Sequence, residues 1–172
     1  YSVSEHNGYF IDPANPEVQN FLYELLCEII TRYKPDGINL DYIRYPQSLD
    51  TIYSNYDMSN WGYTKFAREE FAKMYGVDPI ELKFTDPLWY QWRAYRCNKV
   101  TSFVRRVSVL CRFNKIAITT VIFPNRNLAL NTKMQDWKTW SMNNFVDGFT
   151  PLFLTCNDMT AMNLMEEVLR NK

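Results

Sequence analysis

The sequence predicts an α/β fold in which parallel strands alternate with outer helices, and two features of its pattern support this. Short β-branched or apolar segments are separated by longer segments whose apolar residues recur at spacings of three and four. Within 36–46, apolar Ile38 and Leu40 alternate with polar Asn39 and Asp41, so the two pairs face opposite sides of a strand. Strands that alternate with helices are joined by right-handed crossovers and lie parallel.

The polar face of this strand indicates what kind of sheet it belongs to. A parallel strand covered on both faces is ordinarily apolar throughout. We therefore expect Ile38 and Leu40 to pack under helices, and Asn39 and Asp41 to point into a barrel. A whole barrel takes about 250 residues, and the chain has 172. The prediction is a partial (β/α)8 TIM barrel, with residues 1–172 as the central-to-C-terminal part of one domain.

The elements of the N-terminal half follow from capping and periodicity. Phe10-Ile11-Asp12-Pro13 suits a strand end or a loop, with Tyr9-Phe10-Ile11 as a candidate edge strand. Asn15-Pro16-Glu17 supplies the N-cap, first-turn proline and first-turn acid of a helix. A polar and aromatic loop over 47–60 follows the strand, and loops of that length are often functional. Two further helices are predicted over 61–75 and 87–112.

The C-terminal half contributes two more strands and two more helices. The predicted elements are, in order, a strand over 115–123, a loop over 126–133, a helix opened by Asp136 and holding Trp137 and Trp140, a strand over 145–153, and a helix capped by Asp158.

Composition limits the kinds of partner. A hydrophobic content of 47% and a charged content of 22% are typical of a globular protein, and the formal net charge of zero argues against a nucleic-acid binder. The four cysteines stand far apart beside a single histidine, so neither a metal site nor a cofactor is predicted. No apolar run approaches the roughly 20 residues of a membrane span.

Asp-Gly occurs directly before two predicted strands, which separates the aspartates by role. Asp36 and Asp147 lie at strand starts, the face of a barrel that serves stability, and are interpreted as turn or cap residues. Asp41 lies five residues after Asp36, roughly 16 Å away at about 3.3 Å per residue. It is near Arg44 and Tyr45, at the end where such barrels have their active sites. We interpret Asp41 as a catalytic carboxylate; the alternative is a buried aspartate paired with Arg44.

Several motifs resemble those of a known family. They are Ile11-Asp12-Pro13-Ala14-Asn15-Pro16-Glu17-Val18, Asp36-Gly37-Ile38-Asn39-Leu40-Asp41-Tyr42-Ile43-Arg44-Tyr45-Pro46, Trp89-Tyr90-Gln91-Trp92-Arg93, Gln135-Asp136-Trp137 and Val146-Asp147-Gly148 leading into Pro151. In this order and spacing they resemble the glycosyl-hydrolase-like family ten, a bacterial group of predicted TIM-barrel glycosidases. The chain departs from the family at Leu154, where a tyrosine is usual.

The resemblance implies hydrolysis of glycosidic bonds in a bacterial polysaccharide or cell-wall glycan. Such hydrolysis normally uses two carboxyl groups, and the resemblance places Asp41 where related barrels have an essential one. Candidates for the second are Asp12, Glu5 and a residue outside this segment, although Asp12 could instead cap a loop. The candidates for contacts with a polysaccharide or oligosaccharide substrate are Asn39, Tyr42, Arg44, Tyr45, Asn125 and Trp137.

The resemblance also suggests a periplasmic, secreted or lipoprotein-anchored location. A noncatalytic carbohydrate-binding barrel remnant is the alternative function, favoured by Leu154 and by the small number of strands. A barrel enzyme of different chemistry, such as a lyase, is a third.

Overall fold

A computed structural model of the chain describes residues 9–46 and 61–171. Over these residues the chain forms a three-stranded sheet surrounded by six helices, with one 3-10 turn at Pro79–Glu81. The helices and strands are, in chain order, α1 (Pro16–Tyr33), β1 (Gly37–Leu40), α2 (Lys65–Tyr75), α3 (Pro87–Phe113), β2 (Ala117–Ile122), α4 (Arg126–Lys133), α5 (Trp137–Met142), β3 (Gly148–Pro151) and α6 (Asp158–Asn171).

The three strands are parallel and lie in the order β1-β2-β3. In the register of the sheet, Asn39 lies opposite Thr119, and Thr119 lies opposite Gly148. Each strand begins after a helix has brought the chain back to the same end of the sheet, which is what parallel pairing requires. The predicted α/β class and parallel strand order are therefore confirmed.

The sheet has one buried face and one open face. Leu40, Ile118 and Ile122 are buried in the main core together with the inward side of α3. α3 begins at Pro87, a residue suited to the first helical position. Its predicted inward residues are all buried: Trp89, Trp92, Val100, Phe103, Val104, Val107 and Cys111. The opposite face of β1, which carries Asn39, is exposed.

Two sequence predictions about local structure were wrong. Residues 9–11 are not a strand, because no described strand pairs with them. Residues 126–133, predicted to be a loop, form α4. The helix is possible because the side chain of Asn125 accepts the N–H of Leu128 and so caps its first turn, and it ends where Met134 adopts a left-handed φ of 55°.

The outer helices at the two ends of the sheet have apolar faces that nothing in the described part of the chain covers. In α1, Phe21 is 66% exposed and Leu25 is 44% exposed, although both lie on its apolar side. In α6 the exposed apolar residues are Met159, Met162, Met165 and Leu169. These helices flank β1 and β3, the edge strands of the described sheet.

None of the helices in residues 9–46 and 61–171 is both long enough and apolar enough to cross a lipid bilayer.

Candidate functional site at the carboxyl end of the sheet

A tight turn at the end of β1 exposes Asp41 and Tyr42. The Oδ1 atom of Asp41 accepts the N–H of Tyr42 at 2.7 Å, and the Tyr42 carbonyl accepts the N–H of Arg44 at 2.8 Å. Tyr42 has a left-handed φ of 52°, which is uncommon for a residue with a side chain. Local strain of this kind is found at functional sites more often than elsewhere. The turn leaves the Asp41 carboxylate exposed and Tyr42 51% exposed.

Asn39 and Thr150 extend this polar surface across the open face of the sheet. The Nδ2 atom of Asn39 donates to Oγ1 of Thr150 at 3.1 Å. Their strands are separated by β2, and Thr150 lies two residues beyond the position level with Asn39, so in a flat sheet their backbones would be more than about 9.6 Å apart. A contact between two short side chains across that span requires the face to be concave. We call Asn39, Asp41, Tyr42 and Thr150 the rim site.

Arg44 lies under the rim site. It is buried, its Nη1 donates to the Tyr45 carbonyl at 3.1 Å, and its guanidinium carbon lies 5.1 Å from the centre of the Tyr42 ring. The Phe10 and Phe123 rings are at 5.6 and 5.2 Å. Asp41 is exposed, so it is not the buried aspartate of the alternative interpretation. Arg44 instead supports the inner side of the Tyr42 ring.

Tyr45 is buried below this turn. Its N–H donates to the Lys133 carbonyl at 3.0 Å, and its hydroxyl donates to Oδ1 of Asp12 at 3.5 Å. Burial raises the pKa of the Tyr45 hydroxyl well above its usual range, and the negative charge of Asp12 raises it further. Tyr45 is thus held as a neutral donor in the interior rather than at the surface.

The Asp12 carboxylate is occupied by three donors. Its Oδ1 accepts the N–H of Ala14 at 2.9 Å in addition to the Tyr45 hydroxyl, and its Oδ2 accepts the Thr64 hydroxyl at 2.5 Å. Thr64 is also the N-cap of α2, where its hydroxyl accepts the N–H of Ala67. Asp12 therefore ties the segment before α1 to the start of α2. A catalytic role for it stays a prediction.

Asn125 and Trp137 lie outside the rim site. Asn125 is exposed, and besides capping α4 its Nδ2 donates to Oε2 of Glu167 at 3.5 Å. Trp137 is 0% exposed; its Nε1 donates to the Phe123 carbonyl at 3.0 Å and its ring packs against Phe149. The Trp137 ring therefore packs in the core beside the carboxyl end of β2, where its buried surface is not accessible to a sugar.

Two residues that the sequence reasoning did not assign to the site contact it directly or indirectly. Thr150 binds Asn39, and the signal for it was present, because each residue lies two positions after the glycine of an Asp-Gly pair. Gln135 belongs to one of the motifs quoted above, and its buried side-chain amide reaches the Ile43 carbonyl at 3.4 Å. No sequence pattern indicated that second contact, since it joins segments far apart in the chain.

Apolar grooves run beside both edge strands. The groove beside β1 has a volume of about 510 Å³ and is lined by residues of 9–13, α1, β1, the Asp41–Arg44 turn and α3. Asp41 is the single acidic side chain in the described lining of that groove. The groove beside β3 has a volume of about 340 Å³. The described residues contain no cluster of three histidine, cysteine, aspartate or glutamate side chains able to hold a metal ion.

A carboxylate exposed at the carboxyl end of a strand, in a parallel sheet surrounded by helices, lies where α/β enzymes commonly have their active sites. The family described as Glycosyl hydrolase-like 10 matches residues 1–160, and the chain belongs to that family. The resemblance inferred from the motifs is thereby confirmed. Searches among curated proteins and among solved structures gave no match to the chain.

Proposed function

We propose that this chain belongs to a glycoside hydrolase domain that cleaves a bacterial polysaccharide or cell-wall glycan, with Asp41 as one of the two reacting carboxyl groups. The observation that supports this most directly is the exposure of Asp41 at the carboxyl end of β1 by the strained Tyr42 turn. Membership of a glycosyl-hydrolase-like family gives that carboxylate its chemical context.

We further infer that the sheet continues into a (β/α)8 barrel, of which this chain is the central-to-C-terminal part. The edges of β1 and β3 that face away from β2 have no strand partner among the described residues, and an apolar groove lies beside each. The uncovered faces of α1 and α6 are those that neighbouring βα units would bury. The Asn39–Thr150 contact joins alternate strands, as the interior layers of such barrels do.

In the proposed reaction Asp41 acts as a nucleophile or base, and the exposed side of Tyr42 offers a flat surface to a sugar ring. Asn39 supplies an amide in the lining of the same groove as Asp41. The second carboxyl group would lie about 5–5.5 Å from Asp41 for retention or roughly 6.5–9.5 Å for inversion. Asp12 already accepts three hydrogen bonds, which favours a positioning role for it, and Glu5 lies outside the described residues.

A noncatalytic carbohydrate-binding domain is the second candidate. It is favoured by the groove beside β1, whose described lining contains one acidic residue where hydrolysis needs two. Its rim site would still present Tyr42 and Asn39 to a saccharide.

The test compares wild type with Asp41→Asn in the natural full-length polypeptide. Substrates are peptide-free cell-wall glycan strands and chito-oligosaccharides; reducing ends report cleavage, and titration calorimetry reports binding. We expect Asp41→Asn to abolish the release of reducing ends and to retain binding. The control is Asp36→Asn, the same change at the other end of the same strand, which should behave as wild type.

The outcomes separate the two candidates. Unchanged turnover in Asp41→Asn would remove Asp41 from the chemistry. Binding of a glycan by wild type without cleavage of any substrate would favour the noncatalytic candidate. Absence of both cleavage and binding over the whole panel would contradict both.

A further inference from the structure

We propose that Gln135 is a positioning residue whose side-chain amide fixes the turn that carries Asp41. The expected effect on cleavage rests on the proposed function, whereas the positioning of the turn rests only on the hydrogen bonds of Gln135. Gln135 is 1% exposed and lies between α4 and α5.

Both the oxygen and the nitrogen of the Gln135 side-chain amide form hydrogen bonds with backbone atoms near the carboxyl ends of β1 and β2. Its Oε1 accepts the N–H of Phe123 at 2.9 Å, and its Nε2 donates to the Val121 carbonyl at 3.0 Å. The same Nε2 donates to the Ile43 carbonyl at 3.4 Å. The contacts at Phe123 and Val121 fix the amide against the end of β2. The remaining contact then connects β2 to the turn after β1.

A backbone hydrogen bond from the segment 133–135 holds Tyr45, the residue that follows Arg44 in the turn. The Lys133 carbonyl accepts the N–H of Tyr45 at 3.0 Å. The left-handed Met134 between Lys133 and Gln135 turns the chain so that both contacts are made. Residues 133–135 therefore hold Ile43 and Tyr45 in place. The exposed residues Asp41 and Tyr42 lie between the end of β1 and Ile43, so the chain is fixed on both sides of them. The Gln135 side chain is the part of this arrangement that a substitution can remove.

Replacing the amide by a carboxyl group gives a chemical signature. An ionised glutamate at this position has no donor for the carbonyls of Val121 and Ile43 and repels both, whereas the neutral acid keeps one donor. Burial disfavours the ionised form. Gln135→Glu should therefore be closer to wild type at acidic pH, where one O–H donor is shared between the two carbonyls, and should lose both contacts as the pH rises. Gln135→Met keeps the volume and removes every donor, so its defect should not depend on pH.

The experiment measures the amide resonances of Tyr42 and Ile43 by NMR and the cleavage of cell-wall glycan strands over a range of pH. For Gln135→Glu we expect shifted and broadened Tyr42 and Ile43 resonances near neutral pH, partial recovery on acidification, and a loss of about tenfold in kcat near neutral pH with little change in KM. Gln91→Glu, the same change at an exposed position of α3, is the matched control.

The structural and catalytic statements can fail separately. If both variants of Gln135 fold and the Tyr42 and Ile43 resonances match wild type at every pH, the positioning role is overturned. If those resonances respond as expected but wild type cleaves no glycan, the proposed function fails and the positioning of the turn stands. If Gln135→Glu does not fold near neutral pH, Gln135→Met decides. Wild-type resonances in that variant would overturn the proposal, and disturbed ones at every pH would support it.

Discussion

The side chains of Asn39 and Thr150 meet at 3.1 Å although the strands that carry them are separated by β2. Their contact draws the two outer strands of the sheet toward one another on its open face. It also places an amide two residues before Asp41 on the same side of β1. The curvature of the sheet and the composition of the rim site are thus linked through one hydrogen bond.

The first prediction measures that bond. In a double-mutant cycle of Asn39→Ala and Thr150→Val, we expect a coupling free energy of about 0.5–1.5 kcal/mol, because the bond joins two neutral groups. Urea denaturation of the four proteins gives the value. The control is a second cycle that combines Asn39→Ala with Thr119→Val. Thr119 lies beside Asn39 in the same sheet, and no hydrogen bond between their side chains is described. A coupling indistinguishable from that control would contradict the prediction.

A second prediction concerns Gly62, which packs against Tyr45 with a φ of 95°. A Cβ atom at this position would lie 2.8 Å from Cε1 of Tyr45 and 3.1 Å from Cδ of the fully buried Arg96. We expect Gly62→Ala to lower the free energy of unfolding by about 2–3 kcal/mol, since it combines backbone strain with overpacking. Thermal and urea denaturation measure the loss.

Gly76 provides the comparison for Gly62. It has a φ of 75°, and a Cβ atom there would meet nothing within 4 Å. Gly76→Ala should therefore cost only the backbone term, about 1 kcal/mol. Equal losses for the two variants would show that the contact with Tyr45 is not tight.

The third prediction separates the two aspartates of the site by their effect on stability. Asp12→Asn should lower the free energy of unfolding by about 1–2 kcal/mol, because an amide cannot accept on both sides from Thr64 and Tyr45. Asp41→Asn should change it by less than about 0.5 kcal/mol, as for an exposed side chain with one local bond. A larger loss for Asp41 than for Asp12 would reverse these assignments.

A fourth prediction follows from the ion pair between Arg68 and Asp78, in which Nε of Arg68 donates to Oδ1 of Asp78 at 2.9 Å. The bonds from Arg68 hold the pKa of Asp78 below its usual range, although partial burial opposes this. Because the folded-state pKa is depressed, the stabilisation is present above the unfolded pKa and is lost as the pH falls through the folded one.

The measurement compares wild type with Asp78→Asn, which keeps an acceptor for the N–H of Ile80 while removing the charge. Wild type should be the more stable near neutral pH. The difference should shrink as the pH falls below about 3.9, the usual pKa of aspartate. A difference independent of pH would show that the charge of Asp78 contributes nothing to stability.

Much of the fold was predictable because it depends on local rules. The N-cap at Asn15 and the inward face of α3 follow from capping and from the helical period. α4 was missed because its cap at Asn125 opens a segment whose composition also suits a loop. Apolar residues alone make 9–11 a candidate edge strand, but strand formation also requires a partner, and the described sheet supplies none.

For the site, the sequence by itself determined that Asp41 lies at the carboxyl end of a strand on a polar face, because alternation along a strand is a local property. It also determined the family, through motifs whose order and spacing are fixed in the chain. Only the tertiary structure decided that Asp41 is exposed, that Tyr45 and Trp137 are buried, and that Asp12 binds Thr64. Burial and long-range hydrogen bonds depend on which distant segments meet, and local patterns along the sequence do not reveal which segments those are.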